Sequence, residues 1–486
     1  MNHRRLVGID LGIASAHTVR VLDGQGQTLA KRKAQPTRQS LTDVETVALV
    51  GTPAGTRLEV VIEPTGPAWL PIAVFFISRG HPVYRVSSAK ASDLRRFFSR
   101  HTKTNGIDAD TLARLPLVDP AGLHPLELPG VERAALDRRV RATDRLSKAG
   151  AEHKVRIKDL VRQLMPMTPL TGDLGAADLA VLERWADPNV LVRVGVKRLS
   201  ATIAKASNNH LGQERAETWI DAARSAIDLY DGHPGVAFVD LAAEVATEVR
   251  LLRAVQAELA VHAAEREVAY RWADPCALAR SLPGLAEVGG PALVACMGDP
   301  ARFRKGKQFR SFTGLVPKAS ETGESDRKGQ AMSKAGSSLL RTTLVRAADH
   351  ARKLDPQLAR IYYVQMVERG KDHLGALCVV AANLAERAWA VMDRGMPYVI
   401  CDVDGTPVTP EEAKAIIAER FTVPADVRAR RRSKKVGKAP KNVHAGRSKP
   451  GARGGGERGD LPRDTSSARG FGDVNHPNAS SEERAS

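Results

Sequence analysis

Three carboxylates stand where apolar runs end or where a helix begins. Asp10 closes "RLVGID", Glu63 closes "LEVVIE", and Asp108 lies in "KTNGIDADTLA", where "DADTLARL" takes on helical spacing. Acids at the ends of adjacent strands and at a nearby helix start can converge on one edge of a sheet. Carboxylates without a cysteine or histidine pattern suit hard cations, Mg²⁺ or Mn²⁺. A pair of such ions can activate a water or hydroxyl and stabilise the leaving oxygen in phosphodiester chemistry. Gly8, Gly12, Ala14 and Ser15 around Asp10 leave room for a backbone to approach. Each acid also has an ordinary use. Asp10 could bind turn amides, Glu63 could pair with an arginine, and Asp108 could cap a helix. The joint pattern, more than any one acid, points to chemistry.

A strand with "GID" or "DLG" and a glycine turn also opens actin-like and sugar-kinase-like ATPases. That reading requires a second glycine-rich phosphate hairpin and an adenosine motif downstream, and the sequence offers neither. It also leaves the basic character unused. The 486 residues carry a formal net charge of +18, and about half of the excess lies between Val427 and Ser486. A basic body with a basic tail implies a polyanionic partner, most simply nucleic acid.

The elements that must position the acids follow from patterning. "RLVGID" and "HTVRVLD" form paired strands, "QTLAKRKA" a third, and "LEVVIEPTG" a buried strand ending at Glu63. "PAWLPIAVFFISRG" forms a helix with Gly80 as its cap, and "HPVYRVS" another strand. Hairpin-joined strands followed by strand, helix and strand suit an RNase H-like mixed sheet better than an alternating Rossmann unit. Residues 131–165 and 240–273 are long, charge-laced helical patterns that can pair as an antiparallel coiled coil or a dimerising arm. "LPGLAEVGGPALVA" has a helix-hairpin-helix flavour, or is an ordinary helix–helix turn. "GLVPKASETGESDRKGQAMSKAG" forms a long polar loop, and two apolar helices close the unit. The Arg-, Lys-, Gly- and Pro-rich chain from about residue 428 is expected to be disordered.

The four cysteines, at 276, 296, 378 and 401, have no metal-finger spacing and are expected to be reduced, mostly buried thiols of a cytosolic protein. The N-terminus runs straight into a strand without a signal-peptide core. No uninterrupted apolar run reaches the length of a membrane span, so no membrane partner is expected.

Taken in order, "VGIDLG", "VIEPTG", "KTNGIDADTLA", "LPGL", "FTGLVPKASETGES" and "MSKAG" resemble the DEDD transposases of the insertion-sequence-110 type, over roughly residues 5–400. The resemblance implies a RuvC-like (RNase H-like) catalytic domain over 1–128 and a helical, coiled-coil connector over 129–275. A mostly α transposase domain with a nucleophile loop would take 276–400, and a linker with a disordered basic tail 401–486. It implies Mg²⁺ or Mn²⁺ on the acids, and a hydroxyl nucleophile that links protein covalently to DNA. It also implies double-stranded DNA at the element ends and target, a guide-like non-coding RNA, and composite sites in a homodimer or homotetramer of the bacterial cytoplasm and nucleoid.

Carried over by residue, Asp10 and Glu63 match the first two acids and Asp108 the fourth. Asn105 stands where the third acid is expected. Either Asn105 ligates the metal through its carbonyl oxygen, or Asp110 helps, or the copy is inactive. The nucleophile's position falls on Thr322, with Ser320 and Ser325 as alternatives, and Arg327, Lys328 and Lys334 could hold the scissile phosphate. Two other readings stay open: a Holliday-junction-type nuclease with no covalent intermediate, and a non-catalytic nucleic-acid-binding relic of a transposase.

Overall fold

The computed structural model describes residues 3–432, apart from residues 65, 99–101, 103, 171, 319–320, 323–324 and 327–329. Most of the basic tail, from residue 433, therefore lies outside the described residues.

The chain opens with β1 (Arg5–Asp10), β2 (His17–Asp23), β3 (Thr28–Ala34), α1 (Arg38–Leu49), β4 (Leu58–Ile62), α2 (Trp69–Ser78), β5 (Val83–Arg85), α3 (Ser88–Phe98) and α4 (Asn105–Val118). The strands form one mixed sheet in the order β3-β2-β1-β4-β5. β1, β2 and β3 pair antiparallel, whereas β4 runs parallel to β1 and to β5. Alternation along the strands separates the two faces. Val7, Ile9, Val60 and Ile62 pack against Leu41 and Val44 of α1 and Ile72 and Phe76 of α2. Leu6, Leu22 and Val61 face the other way, towards Leu112, Ala113 and Leu115 of α4. Helix α2 stops as expected: Gly80 follows it at φ +84°, a conformation that side-chain-bearing residues resist.

Gly8 explains how α4 comes to lie on the sheet. A Cβ at this position would stand 2.0 Å from the carbonyl oxygen of Ala109 and 2.4 Å from the amide nitrogen of Ala113. The backbone that Gly8 admits is thus the protein's own α4.

Five helices follow: α5 (Val131–Leu164), α6 (Ala176–Trp185), α7 (Pro188–Ala206), α8 (Gln213–Tyr230) and α9 (Phe238–Ala273). The long pair α5 and α9 runs antiparallel, since Arg139 pairs with Glu265 at 2.8 Å and His153 with Glu248 at 2.6 Å. One end of the pair supplies Ile157, Val161, Val245 and Val249 to a core shared with α6–α8. Within that core, buried Asp178 accepts hydrogen bonds from Arg215 and from the indole of Trp219, which satisfies its charge. The other end supplies Leu136, Val140 and Tyr270 to a separate core built by the helices after residue 276.

Those helices are α10 (Leu278–Ser281), α11 (Gly289–Met297), α12 (Gly306–Thr313), α13 (Ser338–Ala351), α14 (Pro356–Tyr363), α15 (His373–Arg394), α16 (Pro410–Arg420) and α17 (Ala425–Arg430). In the turn between α10 and α11, Gly284 has φ +80°, and a Cβ there would lie 2.3 Å from the carbonyl oxygen of Ala347. This glycine serves packing against α13, as an ordinary helix–helix turn would. Helix α15 is long and apolar enough to cross a membrane by length and composition. Here its apolar face, including Leu377, Val380, Leu384 and Ala388, lies in the core.

Three expectations need correcting. The loop expected after "GLVP" is a folded-back hairpin. Pro317 bridges Met332, and the strands β6 (Glu321–Thr322) and β7 (Ser325–Asp326) pair antiparallel. Residues 401–432, read as the start of a linker and disordered tail, carry α16 and α17. Thr409 and Glu412 form a capping box at the start of α16, and Arg420 reaches back to Asp402. Of the cysteines, all free, only Cys296 is buried, while Cys276 is exposed.

Candidate active site

Strand register places the first two acids. Ile9 of β1 is the parallel partner of Ile62 of β4. Asp10, the last residue of β1, and Glu63, the first residue after β4, therefore emerge side by side at one edge of the sheet. The third and fourth positions come from α4, which Gly8 holds against β1. Thr104 caps α4, its hydroxyl accepting from the Ile107 amide at 3.2 Å. Asn105 is thus the first helical residue and Asp108 lies in the first turn, not at the cap, where it could have served as N-cap. The positive end of the helix dipole faces these groups.

Asp10, Glu63, Asn105 and Asp108 line one cavity of about 400 Å³, together with Leu11, Gly12 and residues of α3 that include Ser88, Ser92 and Arg95. Asp110 does not line it; its carboxylate accepts from Arg114 one turn along α4, at 2.8 Å. Of the two ways offered to complete the acid set, the geometry brings in Asn105 and leaves Asp110 aside.

Two residues that the sequence did not flag shape the site. His17 is buried and its Nδ1 accepts from the Gly12 amide at 3.1 Å, which fixes the turn leaving Asp10. Burial pushes its pKa down, so the ring is held neutral and its proton sits on Nε2. Arg95 donates from Nη1 to Asp108 Oδ1 at 3.1 Å, and both side chains are largely sheltered. Nothing in "SAKASDLRRFF" distinguishes this arginine from its neighbour Arg96.

The donor set is all oxygen, three carboxylates and one amide, which fits a hard divalent cation. Among the described residues, however, no group of three His, Cys, Asp or Glu side chains stands close enough to hold one ion. Asp108 is instead engaged by Arg95.

The proposed nucleophile region is described only in part. Thr322 and Ser325 are backbone partners between β6 and β7, and their side chains lie outside the described residues, as do Ser320, Arg327 and Lys328. Lys334 stands exposed at the foot of the hairpin with φ +55°, its amide donating to the Gly314 carbonyl.

Comparison with known proteins gives the class: the chain is similar to transposases. A profile of DEDD-type IS110 transposases matches residues 7–166. A second, described as the transposase IS116/IS110/IS902 family, matches residues 276–363, and the two together take in about half of the chain. The chain belongs to the IS110 family of transposases. Its relatives include a protein of Pseudomonas aeruginosa described as a probable family 20 transposase, 32% identical over 124 residues. The transposase for insertion sequence element IS1328 of Yersinia enterocolitica is 29% identical over 147 residues. The transposase for insertion sequence element IS1111A of Coxiella burnetii is 27% identical over 130 residues. The matched stretches are 24%, 30% and 26% of this chain and 35%, 41% and 35% of those relatives.

Proposed function

We propose that this chain cuts and rejoins DNA as the transposase of a bacterial insertion sequence, with the acid cavity as its metal-dependent centre. The observation that carries the reading is convergence. Asp10, Glu63, Asn105 and Asp108, from three elements spread over about a hundred residues, meet in one cavity at a sheet edge. The strand order β3-β2-β1-β4-β5, antiparallel then parallel, supports an RNase H-like, RuvC-like reading of this unit.

Asp10, Glu63 and Asp108 would hold Mg²⁺ or Mn²⁺, with Asn105 adding a neutral oxygen. When bound, the metal supplies Lewis-acid stabilisation of charge on a phosphate and lowers the pKa of a bound hydroxyl. The chain's own groups do the rest. His17 and Gly12 fix the turn beside Asp10, and α4 presents Asn105 and Asp108 from its N-terminal turn. In the second unit, the Thr322 hydroxyl at the hairpin is the nucleophile. Its oxygen bonds to phosphorus as one bridging P–O bond of the DNA breaks. The threonine proton passes to a base and the leaving sugar oxygen takes up a proton. The protein–DNA phosphodiester keeps the energy of the broken bond, so a second DNA hydroxyl can reverse the step onto a new partner. Ser320 and Ser325 are the alternative hydroxyls.

The basic body would grip phosphate backbones of DNA and of an element-encoded, guide-like RNA. A cavity of about 720 Å³ between α6, α7 and α9 is lined by Arg184, Arg198, Lys205 and Arg253. Glu183 neutralises Arg253 at 2.9 Å, and Arg198 lies over the Trp185 ring. Reversing charge together at Arg184, Arg198 and Lys205 should weaken duplex binding on the order of tenfold to a hundredfold and flatten its salt dependence. Fluorescence anisotropy across a salt series reads both. Exposed Val261, Val268 and Trp272, spaced seven and four residues apart on α9, suit self-association into a dimer or tetramer.

The mechanism is tested by trapping. The protein is incubated with element-flank RNA, Mg²⁺ and end-labelled DNA, then denatured and run on a gel. A labelled protein–DNA adduct lost in Thr322→Ala but kept in Ser320→Ala and Ser325→Ala is the expected result. Cut DNA without an adduct would mean an acid-only nuclease of the Holliday-junction type. Binding with neither product would mean a non-catalytic relic.

A further inference from the structure

We infer that Arg95 is a built-in counter-cation of the acid cavity, which a divalent metal must displace, and that α3 is a hinged cover over the site. The inference rests on the reading of that cavity as a metal site and concerns its regulation.

Among the described lining residues, three carboxylates, Asp10, Glu63 and Asp108, share the cavity with the cation Arg95. The guanidinium donates to Asp108 Oδ1 at 3.1 Å and reaches the Ser92 hydroxyl at 3.4 Å. The Arg95 and Asp108 side chains are only 20% and 16% exposed, so water screens their attraction less than it would at an open surface. The guanidinium holds Oδ1, so a divalent cation that takes both oxygens of Asp108 has to displace it. Among the described residues, no three acids are gathered closely enough for one ion. Metal binding and the Arg95–Asp108 pair are therefore competing states of one carboxylate.

The packing of α3 lets the competition be resolved by movement. At its N-terminal end Lys90 is tied to Asp119 at 2.7 Å and to the Gly122 carbonyl at 3.0 Å, and the adjacent Ala91 is buried. No other residue of the helix is buried. Its C-terminal end carries Phe97, 80% exposed, and Phe98, 44% exposed. That end meets α4 through Arg95 on Asp108 and through Arg114 over the Phe98 ring, and beside Arg95 the half-buried Leu94 packs on the apolar cluster that includes Leu112 and Leu115. With one half-buried leucine and two exchangeable cationic contacts, that end opens at lower cost than the end anchored by Lys90 and buried Ala91. Arg96 pairs only loosely, with Asp93 of the same turn at 4.0 Å, so it does not replace Arg95.

The test is Mn²⁺ binding to the full-length protein, read by isothermal titration calorimetry and by the loss of free Mn²⁺ signal in electron paramagnetic resonance. Arg95→Gln should bind Mn²⁺ about tenfold more tightly than the unaltered protein, because Asp108 is then released at no ionic cost. Arg95→Lys, which keeps the charge, should stay near the unaltered affinity. Saturating Mn²⁺ should also speed amide hydrogen exchange in residues 92–98 of the unaltered protein and leave Arg95→Gln unchanged. Equal or weaker binding by Arg95→Gln, with Asp10→Asn abolishing the site, would overturn the counter-cation while leaving the metal site standing. No saturable site in any of these proteins would remove the metal reading and this inference with it.

Discussion

Asp10→Asn should lower DNA strand cleavage by about three orders of magnitude while leaving the fold and nucleic-acid affinity intact. Asp10 ends a strand whose residues from Leu6 to Ile9 are buried, and its own side chain lies at the cavity. Asparagine has the same shape and keeps one carbonyl oxygen, so the sheet edge and its packing persist. The charge is what disappears. Metal stabilisation of a phosphoryl transition state amounts to several kcal/mol, and each ~1.4 kcal/mol is tenfold in rate. Glu63→Gln, on the neighbouring strand, should act alike. Asp110→Asn should have little effect, because that carboxylate is spent on Arg114 outside the cavity. Single-turnover cleavage of labelled DNA compares all three. Equal losses at Asp10 and Asp110 would mean that general charge, and not the cavity, governs the reaction.

Gly8→Val should cost roughly 3 kcal/mol or more, the upper range for overpacking a filled interior. The clash is with the α4 backbone, at 2.0 Å from the Ala109 oxygen and 2.4 Å from the Ala113 nitrogen, so no rotamer relieves it. Helix α4 would have to lift from β1, and it carries Asn105 and Asp108. Lost stability and lost cleavage should thus appear together, with Gly8→Ala intermediate. Thermal denaturation followed by circular dichroism should show Tm falling by on the order of 10 °C for the N-terminal unit. An unchanged Tm would mean that α4 does not bear on β1 as described.

Much of this is legible in the sequence. Alternation in "RLVGID" and "HTVRVLD" specified paired strands, and the apolar run of "LEVVI" a buried one, because those patterns fit only a sheet with both faces covered. The convergence of Asp10, Glu63 and Asp108 followed from their positions at element ends. The acid cavity depended on facts the sequence carries only faintly. Gly8 looked like room for a ligand, yet it admits α4, since a glycine cannot announce which backbone will approach it. Thr104, not Asp108, caps α4, because the helix begins three residues earlier than its apolar spacing suggests. Arg95 and His17 act through burial and through partners 13 and 5 residues away, which local pattern does not encode. The paired segments described between 316 and 333 lack alternating apolar residues and are held by backbone pairing, so the stretch reads as loop. "TPEE" at 409–412 did carry a legible capping box, obscured by the basic composition just downstream.

The central claim is that a divalent metal sits among Asp10, Glu63 and Asp108, and affinity cleavage addresses it directly. Fe²⁺ would replace Mg²⁺ in the full-length protein, ascorbate and peroxide would generate hydroxyl radicals at the bound ion, and the fragments would be mapped by mass spectrometry. The account predicts backbone cuts clustered near residues 10, 63 and 105–108, suppressed by excess Mg²⁺ and absent in Asp10→Asn. Cuts scattered without relation to those three segments, or unchanged in Asp10→Asn, would contradict it.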